Sequence, residues 1–188
     1  VLPISVEVGP DDGHPDTYIP IVSQSGLGMP DRSYYLADEA PMPAVRQAYV
    51  TWLARALTFA GQRDVERRAR AVLACETAIA KVSWTPLQNR DATKTYNKMS
   101  VAQLAQSAPG FDFATYFKGL GAPVDTVIVS QPTAVTGIAK LVAGAPIQVL
   151  QDQLIVRTLD RYADVLPQAV ETEQFAFYGT TLSGTPEQ

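Results

Sequence analysis

The first residues of the chain alternate between hydrophobic and polar positions. Residues 4–8 follow this period of two, a turn-rich stretch covers residues 9–16, and a second extended run covers residues 18–22. A period of two is that of a half-buried strand. The pattern predicts a β-hairpin with a long loop within residues 1–25. Pro20 in the second run indicates a strand at the edge of its sheet, because proline has no N–H to donate.

From Pro43 the apolar positions recur every three or four residues, which is typical of amphipathic helices. The first predicted helix begins near Pro43 and ends at Gly61, and the second runs from about Gln62 to Val82. The positions expected to face the interior are Val45, Tyr49, Trp52, Ala56 and Phe59 in the first helix, and Val65, Ala69, Val72 and Ile79 in the second.

Shorter elements follow in the second half of the chain. Ser100 and Gln103 have the spacing of a capping box and predict a short helix, and Asp112 is placed to cap another. Residues 125–130 predict a short strand. Further helices are predicted from Pro132, from Pro146 and around Pro167 to Phe177. In the helix from Pro146, the residues expected to face inward are Ile147, Leu150, Leu154 and Tyr162.

These elements predict a mainly α fold, a multi-helix array with a small N-terminal β-hairpin and at most one further short strand. We expect one domain over residues 1–188, with the hairpin in 1–25 and a helical body in 43–179.

Composition narrows the choice of function classes. Of the 188 residues, 46% are hydrophobic, and the net charge is −4. This is typical of a globular chain and argues against nucleic acid as a partner, since phosphate contacts need clustered Lys and Arg. No run approaches the roughly 20 apolar residues that cross a bilayer. No targeting segment is visible, and the chain opens with Val1 rather than Met, as an excised segment would. The single cysteine, Cys75, is expected to be a buried, inert thiol.

The chain has too few ligands for a histidine-based zinc centre. Zinc hydrolases use three protein ligands, and two of these are often histidines four residues apart on a helix. Here the only histidine is His14, in a polar stretch where we expect a structural or solvent-facing role. Gly26-Leu27-Gly28 lacks the third glycine of a nucleotide loop, and no nucleophile elbow occurs. We expect no catalytic, cofactor-binding or metal-binding residue in this chain.

Glu76 is the polar residue that needs an explanation, because it falls on the apolar face of the second helix. A carboxylate there must be paired or protonated. A substrate-contacting acid is one interpretation. The favoured one is a buried ion pair that fixes a loop to the helix. The cations expected within reach are Arg32, Arg90, Lys94 and Lys98, the last three from the polar segment 89–98.

Four segments, taken together, resemble the neprilysin and endothelin-converting-enzyme family of zinc endopeptidases. They are Gly26–Leu36 (GLGMPDRSYYL), Glu76–Ala80 (ETAIA), Asn89–Asp91 with Tyr96–Ser100 (NRD and YNKMS), and Phe175–Gly184 (FAFYGTTLSG). They occur in the family's order. Met29 and Ser33 stand where Leu and Asp are common in the family.

The resemblance implies a part of the N-terminal, largely helical outer lobe of a two-lobed peptidase, which caps a chamber and restricts entry to small peptides. The family's His-Glu-x-x-His helix, downstream glutamate and Asn-Ala-x-Tyr segment belong to the C-terminal catalytic lobe and do not occur in this sequence. Zinc is therefore implied for the parent enzyme only, and the 188-residue chain alone is expected to be inactive.

The implied partners are the C-terminal catalytic lobe of the same polypeptide and, in the parent, peptide substrates. Self-association through an exposed lobe interface is also expected. The implied location is extracytoplasmic, whether periplasmic, secreted or membrane-anchored. The alternative is a stand-alone helical module that binds a peptide or a protein in a groove between helices.

Overall fold

The computed structural model describes residues 3–121 and 124–186, and by their contacts the chain divides into two compact units. The helical unit consists of residues 28–80 and 145–186, and the sheet unit of residues 3–27 and 81–144. The predicted helical body, 43–179, is thus shared between the two units. That residues 1–188 form one domain stays a prediction.

The described residues are mainly helical, which confirms the predicted class. In chain order the helices are α1 (Ser33–Leu36), α2 (Met42–Phe59), α3 (Val65–Val82), α4 (Pro86–Asn89), α5 (Ala92–Thr95), α6 (Val101–Ser107), α7 (Phe113–Gly119), α8 (Pro132–Gly144), α9 (Ile147–Tyr162) and α10 (Gln168–Phe175). A 3-10 turn at Ala163–Val165 follows α9, and a π-helical segment at Ala176–Leu182 continues α10. Among the described residues no single helix has both the length and the apolar composition to cross a membrane; α8 and α9 meet those criteria only when joined across the break between them.

The sheet unit is built on a four-stranded sheet in the order β1-β2-β4-β3. The strands are β1 (Ile4–Asp11), β2 (His14–Gln24), β3 (Lys98–Ser100) and β4 (Thr126–Val129). β1 and β2 form the predicted hairpin, β2 and β4 are parallel, and β3 and β4 are antiparallel. The sheet thus has β3 in addition to the one further strand that we expected, because three residues are too few to show a period of two.

Two details of the hairpin prediction are wrong. The loop is not long, because the strands continue to Asp11 and from His14, and the Asp11 carboxylate accepts a hydrogen bond from the Gly13 N–H at 2.9 Å that closes the turn. β2 is not an edge strand, since it lies between β1 and β4. Pro20 is tolerated because β4 pairs only with Ile21 and Val22, one residue further on.

Local capping explains where several helices begin and end. Ser100 Oγ accepts from the Gln103 N–H at 3.1 Å, and the Gln103 side chain accepts from the Ser100 N–H at 2.8 Å, which confirms the predicted capping box of α6. Asp112 caps α7 through the Thr115 N–H at 2.9 Å. Gly61, with φ +70°, follows the end of α2 in the left-handed conformation that favours glycine.

The core of the helical unit forms where α1, α9, α10 and the π-helical segment pack on α2, and α3 adds a buried face of its own. The predicted inward positions of α2 are buried, with one exception. Phe59 is 41% exposed, because it lies at the last residue of α2, beside an open groove.

The predicted orientation of α9 is wrong. Ile147, Leu154 and Tyr162 were expected inside, but they are 69%, 52% and 54% exposed, and Leu150 is half-buried. The buried face of α9 instead carries Asp152, Gln153, Val156 and Arg157. The inner face is polar because it pairs with charges on α3. The Asp152 carboxylate accepts both Arg68 Nε, at 2.9 Å, and an Arg68 amino group.

Candidate functional site

Glu76 is fully buried on α3, at 0% exposure, which confirms its predicted burial. One carboxylate oxygen, Oε2, accepts hydrogen bonds from the Tyr35 hydroxyl at 2.7 Å, the Tyr49 hydroxyl at 2.9 Å and the Gly28 N–H at 3.3 Å. The Tyr35 hydroxyl in turn accepts from the Gly28 N–H at 2.8 Å. A buried carboxylate is stable only when such donors replace its water.

The ion partner of Glu76 is Arg157, on the inner face of α9. An Arg157 amino group donates to Glu76 Oε1, which also accepts from Gln153 Nε2 at 3.2 Å. Arg157 is only 4% exposed. The predicted partners, Arg32, Arg90, Lys94 and Lys98, are therefore wrong, because the cation comes from a helix much later in the chain. Arg32 does hold the neighbouring loop, since its Nε donates to the carbonyl of Ala80 at 3.0 Å, in the last turn of α3.

A second carboxylate, that of Asp160, also pairs with Arg157. Asp160 accepts from the other Arg157 amino group at 2.8 Å and from Trp52 Nε1 at 2.9 Å. The Tyr178 hydroxyl lies 3.1 Å from Asp160 and 3.2 Å from the Gly28 carbonyl, so its one proton is donated to either. We call Gly28, Tyr35, Tyr49, Glu76, Arg157, Asp160 and Tyr178 the Glu76 cluster.

Gly28 has no room for a side chain. A Cβ there would overlap the Arg157 guanidinium and the Tyr49 hydroxyl. Both its N–H and its carbonyl oxygen belong to the hydrogen-bond network. Gly28 is thus fixed through its backbone to Glu76 on α3 and to Tyr178 in the π-helical segment, as the favoured interpretation of Glu76 requires.

Electrostatics keep the donors of the cluster protonated. Burial raises the pKa of the Tyr35 and Tyr49 hydroxyls well above the usual range, and the Glu76 carboxylate raises it further. For Arg157, burial opposes the charge, but the Glu76 carboxylate outweighs it, so the pKa of the guanidinium is raised. Burial also raises the pKa of Asp160, against the lowering effect of Arg157. The tyrosines therefore stay hydrogen-bond donors and Arg157 stays charged at neutral pH.

The geometry of the cluster indicates a structural role, in which Glu76 holds neighbouring elements together. Both oxygens of Glu76 are occupied by donors, and the side chain has no exposed surface from which to reach a substrate. A general base must lie within hydrogen-bond distance of the proton that it removes from the substrate. The substrate-contacting interpretation of Glu76 therefore lacks geometric support.

Sequence reasoning found Glu76 but missed most of its neighbours. Gly28, Tyr35 and Tyr178 lie in segments that the family resemblance singled out, so three of those four segments converge in this cluster. The sequence pattern around Arg157 did not indicate that this residue is buried. Arg157 lies next to Val156 in α9, on the face that the apolar pattern had assigned to solvent.

The remaining one of the four segments, Asn89–Asp91 with Tyr96–Ser100, lies in the sheet unit and holds the tip of the hairpin. Asp11 is 1% exposed and accepts from Lys98 Nζ at 2.6 Å and from the Tyr96 hydroxyl at 2.8 Å. These hydrogen bonds, from Lys98 first and Tyr96 second, lower the pKa of Asp11 from 3.8 to about 2. Asn97 adds a link to β4 through the Val129 carbonyl at 3.0 Å. The polar segment thus has a local structural role.

The donor set of this chain does not fit a catalytic zinc ion. His14, at the start of β2, is exposed, and Cys75 on α3 is half-buried, where burial raises the pKa of its thiol. Within residues 3–121 and 124–186, no group of three or more His, Cys, Asp or Glu side chains is placed to hold a metal. Zinc needs three such ligands, with histidine nitrogens or thiolates preferred.

An open groove of about 550 Å³ runs between α2 and α10 in the helical unit. Its walls include Phe59, Arg55 and Glu173, and the last two approach to 3.8 Å. The groove has one large apolar contact and solvent-exposed charges, so it lacks the apolar lining of a typical small-molecule pocket.

A comparison with family models matches residues 1–188 to the N-terminal model described as Peptidase family M13. Among curated proteins, endothelin-converting enzyme-like 1 of Rattus norvegicus is 26% identical over 82% of this chain and 21% of its own length. Endothelin-converting enzyme 1 of the same species is 28% identical over 70% of this chain and 17% of its own length.

Among solved structures, the Mycobacterium tuberculosis zinc metalloprotease Zmp1 in its open state is similar to this chain with a TM-score of 0.91 and 32% identity. The match covers 99% of this chain and 29% of that protein. The chain thus spans less than a third of the length of each of these relatives.

Proposed function

Because this chain belongs to peptidase family M13, we propose that it is a non-catalytic part of the N-terminal outer lobe of a zinc metallopeptidase. In this proposal it covers the chamber in which peptides are cut and limits the size of the substrates that enter. The observation that carries it is the match of all 188 residues to the N-terminal family model, in a sequence with one histidine.

The role proposed for the chain is positional. A cover that excludes water and bulky substrates supports catalysis without supplying a reacting group. The Glu76 cluster supports this role, because its hydrogen bonds join the backbone of Gly28 to α3 and to the π-helical segment, and its ion pair joins α3 to α9. We propose that no catalytic, cofactor-binding or metal-binding residue lies in this chain, that the catalytic lobe of the same polypeptide is its partner, and that the parent enzyme works outside the cytoplasm.

Two measurements test the proposal. The purified 188-residue chain, supplied with zinc and a fluorogenic peptide, is expected to give no hydrolysis. Turnover that a chelator abolishes would contradict it.

The second measurement concerns size selection in the parent enzyme. Glu76→Gln should loosen the cover, so the cleavage rate of a long peptide relative to a short one should rise. Glu173→Gln, an exposed change in the same unit, should leave that ratio unchanged. Equal ratios in wild type and both variants would refute size selection by this lobe.

The alternative is a stand-alone module that binds a peptide in the groove between α2 and α10. It predicts that the isolated chain binds short peptides and that Phe59→Ala weakens this binding, as titration calorimetry would show. The capping proposal predicts no such binding.

A further inference from the structure

Helix α9 buries the charged residues Asp152 and Arg157 and exposes the large apolar residues Ile147 and Leu154, whereas a helix on a water-facing surface usually exposes its charges. Ile147, Gln151, Leu154 and Thr158 are spaced by four, three and four residues, so they follow one line along the helix. All four are exposed, and the line continues to Tyr162, which is 54% exposed. We call this line the outer face of α9.

The outer face lacks the charges that keep a surface helix soluble. Between residues 147 and 160, all of them described by the structure, no charged side chain lies on it. The charged residues of that stretch, Asp152, Arg157 and Asp160, are held in ion pairs with Arg68, with Glu76 and with each other. The first charge on the outer face is Arg161, in the last turn.

We infer that the outer face of α9 is an interface with the part of the same polypeptide that lies beyond these 188 residues. This rests on the proposed function, in which the chain is one part of a larger enzyme. It adds to that function the surface through which this part is held.

Size favours an intramolecular partner over a second copy. Sixteen helical residues rise about 24 Å and present a face about 10 Å wide, so one helix offers about 240 Å². A stable dimer of separate chains buries about 800 Å² on each partner. A covalently linked partner needs far less area, because the linker keeps its local concentration high.

The relatives are long enough to contain a partner for the outer face within one polypeptide. This chain covers 29% of the solved M. tuberculosis metalloprotease, so most of that protein lies outside the matched region. The chemistry of the outer face defines what must cover it: an uncharged, mainly apolar surface, since a buried charge opposite Leu154 would have no partner.

Thiol labelling compares the parent polypeptide with the 188-residue chain. Both carry Cys75→Ala to remove the thiol of this segment, and each receives Thr158→Cys on the outer face or Glu66→Cys as the control; labelling is read at the introduced cysteine by peptide mass spectrometry. Both positions are exposed in the helical unit, and neither change disturbs a packed side chain. We expect a maleimide to label Thr158→Cys about tenfold more slowly in the parent than in the isolated chain, whereas Glu66→Cys should be labelled equally in both. Equal rates at Thr158→Cys would overturn the inference.

Other occupants give different labelling results. Protection in the isolated chain that grows with protein concentration would identify a second copy and overturn the inference. Protection that appears only with vesicles of anionic phospholipid would identify a membrane surface and also overturn it.

A second measurement avoids labelling. Leu154→Lys should lower the thermal unfolding midpoint of the parent but not that of the 188-residue chain, in which Leu154 is 52% exposed. An equal shift in both would contradict an interface. Neither measurement uses a substrate, so a failure here is distinguishable from a failure of the size-selection test.

Discussion

Removing the charge of Glu76 is expected to destabilise the helical unit strongly. In Glu76→Gln the shape of the side chain is kept, but Arg157 remains at 4% exposure without its main counter-ion. The new amide also places a donor where Oε1 or Oε2 accepted hydrogen bonds, so either a tyrosine hydroxyl or the guanidinium loses an acceptor.

The magnitude follows from the partners that remain. Breaking a buried ion pair by removing one side costs about 3–5 kcal/mol. Asp160 still accepts from Arg157 at 2.8 Å and compensates part of its charge. We therefore expect a loss of about 3 kcal/mol in the free energy of unfolding, a large fraction of the roughly 5–15 kcal/mol that a folded domain has.

Two further variants show whether the loss comes from the uncompensated charge. Glu173→Gln removes an exposed pair at 3.8 Å and should cost less than about 1 kcal/mol. Adding Arg157→Met to Glu76→Gln removes both charges, so the double variant should lose less than the sum of the two single variants.

The measurement is urea unfolding, followed by the fluorescence of Trp52 in a Trp84→Phe background. Trp52 is 2% exposed and donates to Asp160, so its signal reports on the helical unit. A loss below about 1 kcal/mol for Glu76→Gln, no larger than for the exposed control, would refute the account of the cluster.

Three further changes test other parts of the fold. Gly28→Ala should lower the free energy of unfolding by about 1–3 kcal/mol, because the new Cβ has no space. In the control Gly144→Ala the new Cβ meets no atom within 4 Å, so the free energy of unfolding should change by less than about 1 kcal/mol. The midpoints of urea unfolding compare the two variants. The lowered pKa of Asp11 means that its pairing with Lys98 stabilises the fold above pH 3.8 and is lost as the pH falls toward about 2. The stability difference between wild type and Asp11→Asn should therefore shrink over that range, and a difference independent of pH would contradict the pairing. Ser100→Ala removes the cap of α6 and should lower the free energy of unfolding by about 1 kcal/mol, measured by urea unfolding followed by circular dichroism. An unchanged free energy of unfolding would show that the capping box does not contribute to stability.

Local patterns predicted much of the secondary structure. The period of three and four residues located α2 and α3, and the caps at Ser100 and Asp112 located α6 and α7. These signals depend on residues within one or two turns of each other, which a single sequence displays directly.

The errors at α9 and at the Glu76 cluster concern contacts between distant residues. The apolar pattern of α9 pointed to the wrong face, because the buried face is decided by Arg68 and Glu76, which lie 84 and 81 residues earlier than their partners. A helical period shows that one face differs from the other, but it does not show which face is covered. For the same reason the burial of Glu76 was predicted correctly and its partner was not.

The order in which the chain is synthesised affects how this protein folds. The helical unit is assembled from residues 28–80 and 145–186, with the segment 81–144 of the sheet unit between them. On the ribosome, Glu76 emerges 81 residues before Arg157, so α3 carries an unpaired carboxylate on its apolar face during that interval. The core of the helical unit cannot form completely until α9 has been translated. Because its folding depends on these long-range contacts, we expect it to be slow. A chaperone that binds exposed apolar helices has that interval in which to act.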